Sequence, residues 1–252
     1  RTLPLDMKLV TIQASAVKSI FEVLKDILND VNIYFQPDGM YIVTLDTART
    51  SLVDMFLSAD NFEEYECEKP VVTGINVTNV FKLLKTVSNS DILTVEVTTR
   101  DVMVFFIENE IKKTKTKFEL KLLDIDEEKI ELPEVPVNIT TVMPSIDFQR
   151  ICRDMNNLSN ELIMTRELNR LVIGCKGDFA NQETVIECHE TTDIKCHGTY
   201  SLKYLNTFTK ATGMSANVQI MHEEANRFLV LQYNLANLGE LKFYLATKVP
   251  DN

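Results

Sequence analysis

Apolar positions along the chain follow two periods. Four stretches carry the helical one, and nearly everything between them alternates with period two. In residues 15–31, Val17, Ile20, Phe21, Leu24, Ile27, Leu28 and Val31 form one stripe opposite Lys18, Glu22, Lys25 and Asn29, which predicts a surface helix with one buried face. Residues 77–86 set Val77, Val80, Phe81 and Leu84 against Lys82 and Lys85. Residues 145–158 set Phe148, Ile151, Cys152, Met155 and Leu158 against Arg150 and Arg153. Residues 201–211 set Leu202, Leu205, Phe208 and Thr209 against Lys203, Asn206, Thr207 and Lys210.

The alternating stretches are short and bounded by turn residues. Ile33 to Phe35, the turn Gln36-Pro37-Asp38-Gly39 and Met40 to Leu45 predict a hairpin, because proline presets φ and glycine tolerates a positive one. Further strands are expected at 52–58, 62–67, 92–97, 102–107, 117–123, 170–175, 184–188, 194–200, 217–222, 226–233 and 240–246. Strands far outnumber helices, so the class is α+β, antiparallel sheets covered on one face by a few helices.

The chain also repeats itself in pattern. A shift of 125 residues lays Val77, Val80, Leu83 and Lys85 on Leu202, Leu205, Phe208 and Lys210, and Leu93, Val95, Val97 on Val218, Ile220, His222. A shift of 128 lays Leu24-Lys25-Asp26 on Cys152-Arg153-Asp154. Between the copies runs an acidic, proline-punctuated stretch without regular period, the expected linker. The expected organisation is an N-terminal domain over 1–122, a connecting loop over 123–137 and a C-terminal domain over 138–252, with two helices in each domain.

Composition narrows the functional classes. Net charge is −11, from 26 Lys+Arg and 37 Asp+Glu, so nucleic acid or an anionic membrane would be met locally rather than by the whole surface. No apolar run is long enough to cross a membrane, and the first residues lack a signal-peptide core, so neither a membrane-spanning nor a secreted protein is expected. Five cysteines without close pairing suggest a reducing compartment.

The four helical stretches together carry eight basic and five acidic residues, a net of +3, which leaves −14 for the remaining chain. Each helix contributes two cations spaced three or seven apart, a spacing that puts both on its solvent side. Basic helices decorate solvated faces in many proteins. Paired cations on all four helices of an acidic, repeated chain point further, to charges facing phosphates, which would hold a duplex without reading its sequence. No aromatic residue interleaves them as a stacking platform for single strands would require.

Segments throughout the chain resemble the proliferating cell nuclear antigen family, the eukaryotic-type DNA sliding clamps. They include Val23 to Ile27, Thr50 to Val53, Val72 to Val77, Leu120 to Asp126, Phe148 to Asp154, Tyr204 to Thr212 and Leu241 to Ala246. The resemblance implies the DNA clamp fold and a head-to-tail homotrimeric ring around double-stranded DNA. It implies loading by a clamp loader, tethering of a DNA polymerase and repair factors, and work in the nucleus or at a viral replication site. By the same resemblance, the cations lining the hole would be Lys18, Lys25, Lys82, Lys85, Arg150, Arg153, Lys203 and Lys210. The groove for clients with a glutamine-aromatic motif would be built from Leu45, Leu52, Ile130, Leu132, Pro133, Phe228, Tyr244 and Ala246. Ring contacts would join Ile111 to Phe118, with Lys112, Lys113, Lys115 and Lys117, to Asp178 to Glu187 of the next copy. Several positions depart from the pattern: Leu168 stands where cellular clamps carry the ubiquitin-accepting lysine, Asn169-Arg170 where a glycine is usual, Arg49 and Thr50 where histidine and valine are common, and Thr247 where a proline follows Ala246. The departures suggest a divergent eukaryote or a large DNA virus.

Two rival readings share the fold: a subunit of a heterotrimeric checkpoint-type clamp, and a monomeric viral-type processivity factor. Cys188-His189 and Cys196-His197 invite a zinc site, but neighbours on a strand point to opposite faces and do not converge on one metal. No GxSxG, HExxH or phosphate-cradling motif occurs, so no catalysis, cofactor or metal is expected.

Overall fold

The computed structural model describes residues 6–99, 101–126, 130, 132 and 139–249. The chain divides into two compact units. The first gathers 1–44, 54–130 and 235–241; the second gathers 45–53, 131–234 and 242–252.

In chain order the elements are β1 (Met7–Thr11), α1 (Ala14–Leu24), β2 (Asp30–Gln36), β3 (Gly39–Leu45), β4 (Ser51–Ser58), β5 (Glu64–Glu66), β6 (Val71–Asn76), α2 (Val77–Leu84), β7 (Ile92–Thr99), β8 (Val102–Asn109) and β9 (Thr114–Lys121). Then follow β10 (Ile139–Pro144), α3 (Ser145–Asn156), β11 (Glu161–Lys176), β12 (Asn181–Ser201), α4 (Leu202–Phe208), β13 (Asn217–His222), β14 (Phe228–Leu235) and β15 (Gly239–Ala246). Antiparallel sheets with four α-helices among the described residues make this an α+β protein.

In the first unit β5, β1, β7, β8 and β9 form a five-stranded sheet, with β9 at one edge. Its alternation is regular: Leu9, Val95 and Phe105 turn inward, one behind the other across the ladder, while Lys8, Glu96 and Glu66 turn outward. Helices α1 and α2 pack together, and Leu9, Phe21, Phe35, Val80, Val95 and Phe105 converge beneath them. The second unit repeats the scheme, with α3 on α4 and β10 paired to β13, Thr141 facing Ile220.

Several expectations are corrected. The helix expected over 15–31 ends at Leu24; Asn29 gives its carbonyl to Val77 N at 2.8 Å, and Val31 already belongs to β2. One more turn closes beyond it, Leu28 N donating to the Leu24 carbonyl at 2.8 Å, before the turn formers Asn29 and Asp30 lead the chain into the sheet. The fourth helix stops at Phe208, and Lys210 lies in a 3₁₀ segment, Thr209–Met214. The strands β1, β6 and β10 were not expected, being short and, in two cases, running directly into a helix.

The stretches 184–188 and 194–200 are one strand, β12, and 170–175 is the second half of β11. The polar run His189 to Asp193 reads as a loop, yet it contains no proline or glycine to break the chain. The two strands pair along nearly their whole length, with register shifts around Leu168. There Leu168 takes a left-handed φ of +51°. The Arg166 guanidinium, 1% exposed, donates to the Leu168 and Glu190 carbonyls and to Thr141 Oγ1.

Candidate nucleic-acid interface and partner groove

The apolar stripe of each helix places its cations. On α1, Val17, Ile20, Phe21 and Leu24 are buried, which leaves Lys18 and the C-capping Lys25 toward its other side. Lys18 Nζ donates to the Val87 carbonyl at 2.7 Å. Lys25 Nζ lies 2.9 Å from Asp26 and 5.4 Å from the centre of the Phe81 ring. On α2, started by Asn76 Oδ1 accepting from Asn79 N at 3.0 Å, the cations are Lys82 and the C-capping Lys85, both exposed. The packing of α1 on α2 thus brings four predicted cations onto one helix pair.

The second unit repeats this with α3 and α4, joined by Gln149 donating to the Thr209 carbonyl at 3.0 Å. Arg150, Arg153, Lys203 and Lys210 are exposed. Arg150 is engaged by Asp147 at 3.0 Å, one turn earlier. Among the described residues, Lys82, Lys85, Arg153 and Lys203 make no ion pair, so their charge is available to a ligand. Exposed ion pairs such as Lys25–Asp26 stabilise by at most about 1 kcal/mol, and a phosphate competes with them readily.

The groove residues divide differently. Leu45, Leu52, Leu132, Phe228, Tyr244 and Ala246 fall in the second unit and Ile130 in the first. Leu45 is 36% exposed, Ala246 is exposed, and Leu52, Phe228 and Tyr244 are half-buried. The Phe228 and Tyr244 rings stand 5.7 Å apart, while their strand neighbours Leu229, Phe243 and Leu245 fill the core behind them. Ile130 and Leu132 are half-buried; Pro133 lies outside the described residues.

A feature the sequence reading missed ties this region to α4. Asp46, 7% exposed, accepts Thr50 N at 2.8 Å and Ser51 N at 2.7 Å on one carboxylate oxygen, and the Tyr204 hydroxyl at 2.6 Å on the other. Its own carbonyl accepts Arg49 N at 2.9 Å, and Ala246 N donates to the Thr50 carbonyl at 3.1 Å. Burial pulls the Asp46 carboxyl upward, but the hydrogen bonds from Tyr204, Ser51 and Thr50 outweigh it and hold the group below its ordinary range. Burial, and then the bond to Asp46, push the Tyr204 phenol up. The Asp-x-x-x-Thr-Ser spacing signals the side chain-to-backbone turn; Tyr204, 158 residues away, has no local signal.

The remaining candidate cluster separates. Cys196 is buried with its sulfur near the Glu223 carbonyl, Cys188 lies beside Thr141, and His197 Nδ1 is 2.9 Å from the Thr165 hydroxyl.

Two family profiles match the chain. One, described as proliferating cell nuclear antigen, N-terminal domain, covers residues 5–130; the other, described as proliferating cell nuclear antigen, C-terminal domain, covers residues 131–248. A protein of Paramecium bursaria Chlorella virus 1, named a probable DNA polymerase sliding clamp 1, is 38% identical over 250 residues, 94% of each sequence.

Proposed function

Since the chain belongs to the proliferating cell nuclear antigen family of DNA polymerase sliding clamps, non-catalytic processivity factors, we propose that it works as a homotrimeric ring that encircles duplex DNA. The observation that carries this reading is a set of cations on or directly following the four described α-helices, Lys210 lying in the 3₁₀ segment after α4, in a chain whose net charge is −11. In the ring Lys18, Lys25, Lys82, Lys85, Arg150, Arg153, Lys203 and Lys210 face the phosphates. Contacts of this kind carry no base information, so they hold the duplex while letting the ring move along it. Residues 123–137 serve as the connecting loop between the two domains.

Ring closure joins the β9 edge of one copy to β12 of the next, both strands being outermost in their sheets. Lys115 and Lys117 already pair with Glu108 and Glu119, so Lys112 and Lys113 carry the attraction to Asp178, Glu183 and Glu187. Clients bearing a glutamine, an aliphatic residue and two aromatics dock over Leu45, Leu52, Ile130, Leu132, Pro133, Phe228, Tyr244 and Ala246, the aromatics supplying most of the affinity. An ATP-driven loader opens the ring, and the site of action is the nucleus or a viral replication site.

Light scattering across a dilution series tests the assembly. A ring of three 28.8 kDa chains weighs about 86 kDa. A mass that stays at one chain would instead favour the monomeric processivity factor. The DNA face is tested by replacing Lys25, Lys85, Arg153 and Lys210 together with alanine. The expected result is an intact fold with weaker loading, lower processivity and a shallower salt dependence. Unchanged processivity at physiological salt would reject the assignment.

A further inference from the structure

Arg49 is held in a backbone conformation that its side chain disfavours. Its φ is +56°, the left-handed region, which costs a residue with a Cβ roughly 1–2 kcal/mol and which glycine or asparagine would occupy more easily. The surroundings impose it: Asp46 binds Arg49 N, Thr50 N and Ser51 N around the turn, and Tyr204 and Ala246 fasten the turn from outside it. The guanidinium so presented is exposed and has no ion pair or hydrogen bond among the described residues. The carboxylate beside it in sequence, Asp46, is already engaged on both oxygens. The turn is flanked by Leu45 and Leu52 and is bonded to Ala246, so it borders the apolar cluster of Phe228 and Tyr244. An unpaired cation on a strained, hydrogen-bonded turn beside a half-buried apolar cluster suits recognition, and on a chain of net charge −11 it is a local point of attraction for an acidic ligand.

We propose that Arg49 is a specificity-determining residue of the groove: it selects client segments that carry a carboxylate beside the residues entering the apolar cluster. This rests on the groove reading above and adds a charge preference to it. Asp46 and Tyr204 are positioning residues, acting through the turn that presents Arg49.

The test uses the full chain and two synthetic peptides, each with a glutamine, an isoleucine and two phenylalanines, flanked by two aspartates in one and two serines in the other. The unaltered protein should bind the aspartate peptide about threefold to fivefold more tightly, a margin that shrinks as salt is raised. Arg49→Gln should erase the margin while leaving the serine peptide's affinity unchanged, and Arg49→Glu should invert it. Arg49→Gly should erase it too while raising the urea midpoint, because the strain is relieved. Tyr204→Phe should shrink the margin without changing the affinity for the serine peptide. Equal binding of both peptides to the unaltered protein, or an unchanged margin in Arg49→Glu, would overturn the proposal and leave the groove standing. Failure of both peptides to bind would overturn the groove reading and this inference with it.

Discussion

Phe35 in the first unit and Arg166 in the second stand at matching places. The β2–β6 ladder pairs Phe35 with Val71, and the β11–β12 ladder pairs Arg166 with Cys196; the shift of 125 residues that carries Val71 to Cys196 also carries Asn76 to Ser201 and Val97 to His222. Phe35 and Arg166 are each 1% exposed, Val97 is 1% and His222 is 2%. The first unit closes this corner with apolar groups, which need only be packed. The second closes it with polar groups, which must also be hydrogen-bonded or kept neutral. Just beyond, the first unit turns through Pro37 and Asp38 into a hairpin, whereas the second bulges at Leu168 with Arg166 bonded to the carbonyls. One element order therefore tolerates two chemistries, and the difference is measurable.

The largest effects should come from the matched pair itself. Phe35→Ala should cost about 4 kcal/mol in urea denaturation through lost burial and the cavity left behind. Arg166→Ala should cost about 3 kcal/mol, because a buried side chain is removed and the Leu168 and Glu190 carbonyls and the buried Thr141 hydroxyl lose their donor. A cost under about 1 kcal/mol for the arginine variant would mean that the polar corner is not structural.

Next comes pH. Burial, and then the nearby Arg166 charge, lower the His222 pKa from 6.5 to about 4, so the imidazole is neutral in the folded chain. With the folded value depressed, the stabilisation is complete above pH 6.5 and is lost as pH falls toward 4, since the unfolded chain takes up the proton first. The contribution is about 3 kcal/mol. His222→Val, which installs the first unit's residue, should flatten stability over that window, and Val97→His should steepen it. Identical pH profiles for His222→Val and the unaltered protein would remove histidine from the account.

The smallest effects concern helix starts. Asn76 caps α2 through Asn79 N, whereas Ser201, its counterpart before α4, makes no capping hydrogen bond with its side chain. Asn76→Ala should cost about 1 kcal/mol and Ser201→Ala no more than a few tenths, both read from urea midpoints. Equal costs would place the difference elsewhere.

Signals within a few residues of one another were legible. Apolar stripes located all four helices, and the hairpin turn Pro37-Asp38-Gly39 was readable because only glycine suits its last position: Gly39 has φ +154°, and a Cβ there would lie 2.2 Å from the Leu57 carbonyl. The cations were legible by the same route, since a buried stripe fixes which residues face away. Harder to read was the long hairpin of β11 and β12, whose polar middle follows no alternating pattern and depends on a buried arginine. The turn around Asp46 was only half readable, its backbone bonds being local and its bond to Tyr204 not.

By itself, the sequence determined the α+β class, the repeat, the family resemblance and the outward helix charges, because periodicity and spacing act along a single element. Tertiary structure decided which short segments joined ladders, where helices gave way to strands, that Arg166 binds across the bulge of the second hairpin, and that Arg49 is held in a strained conformation. Those outcomes depend on partners distant in the chain, where the need to satisfy every buried donor and acceptor outweighs local preference.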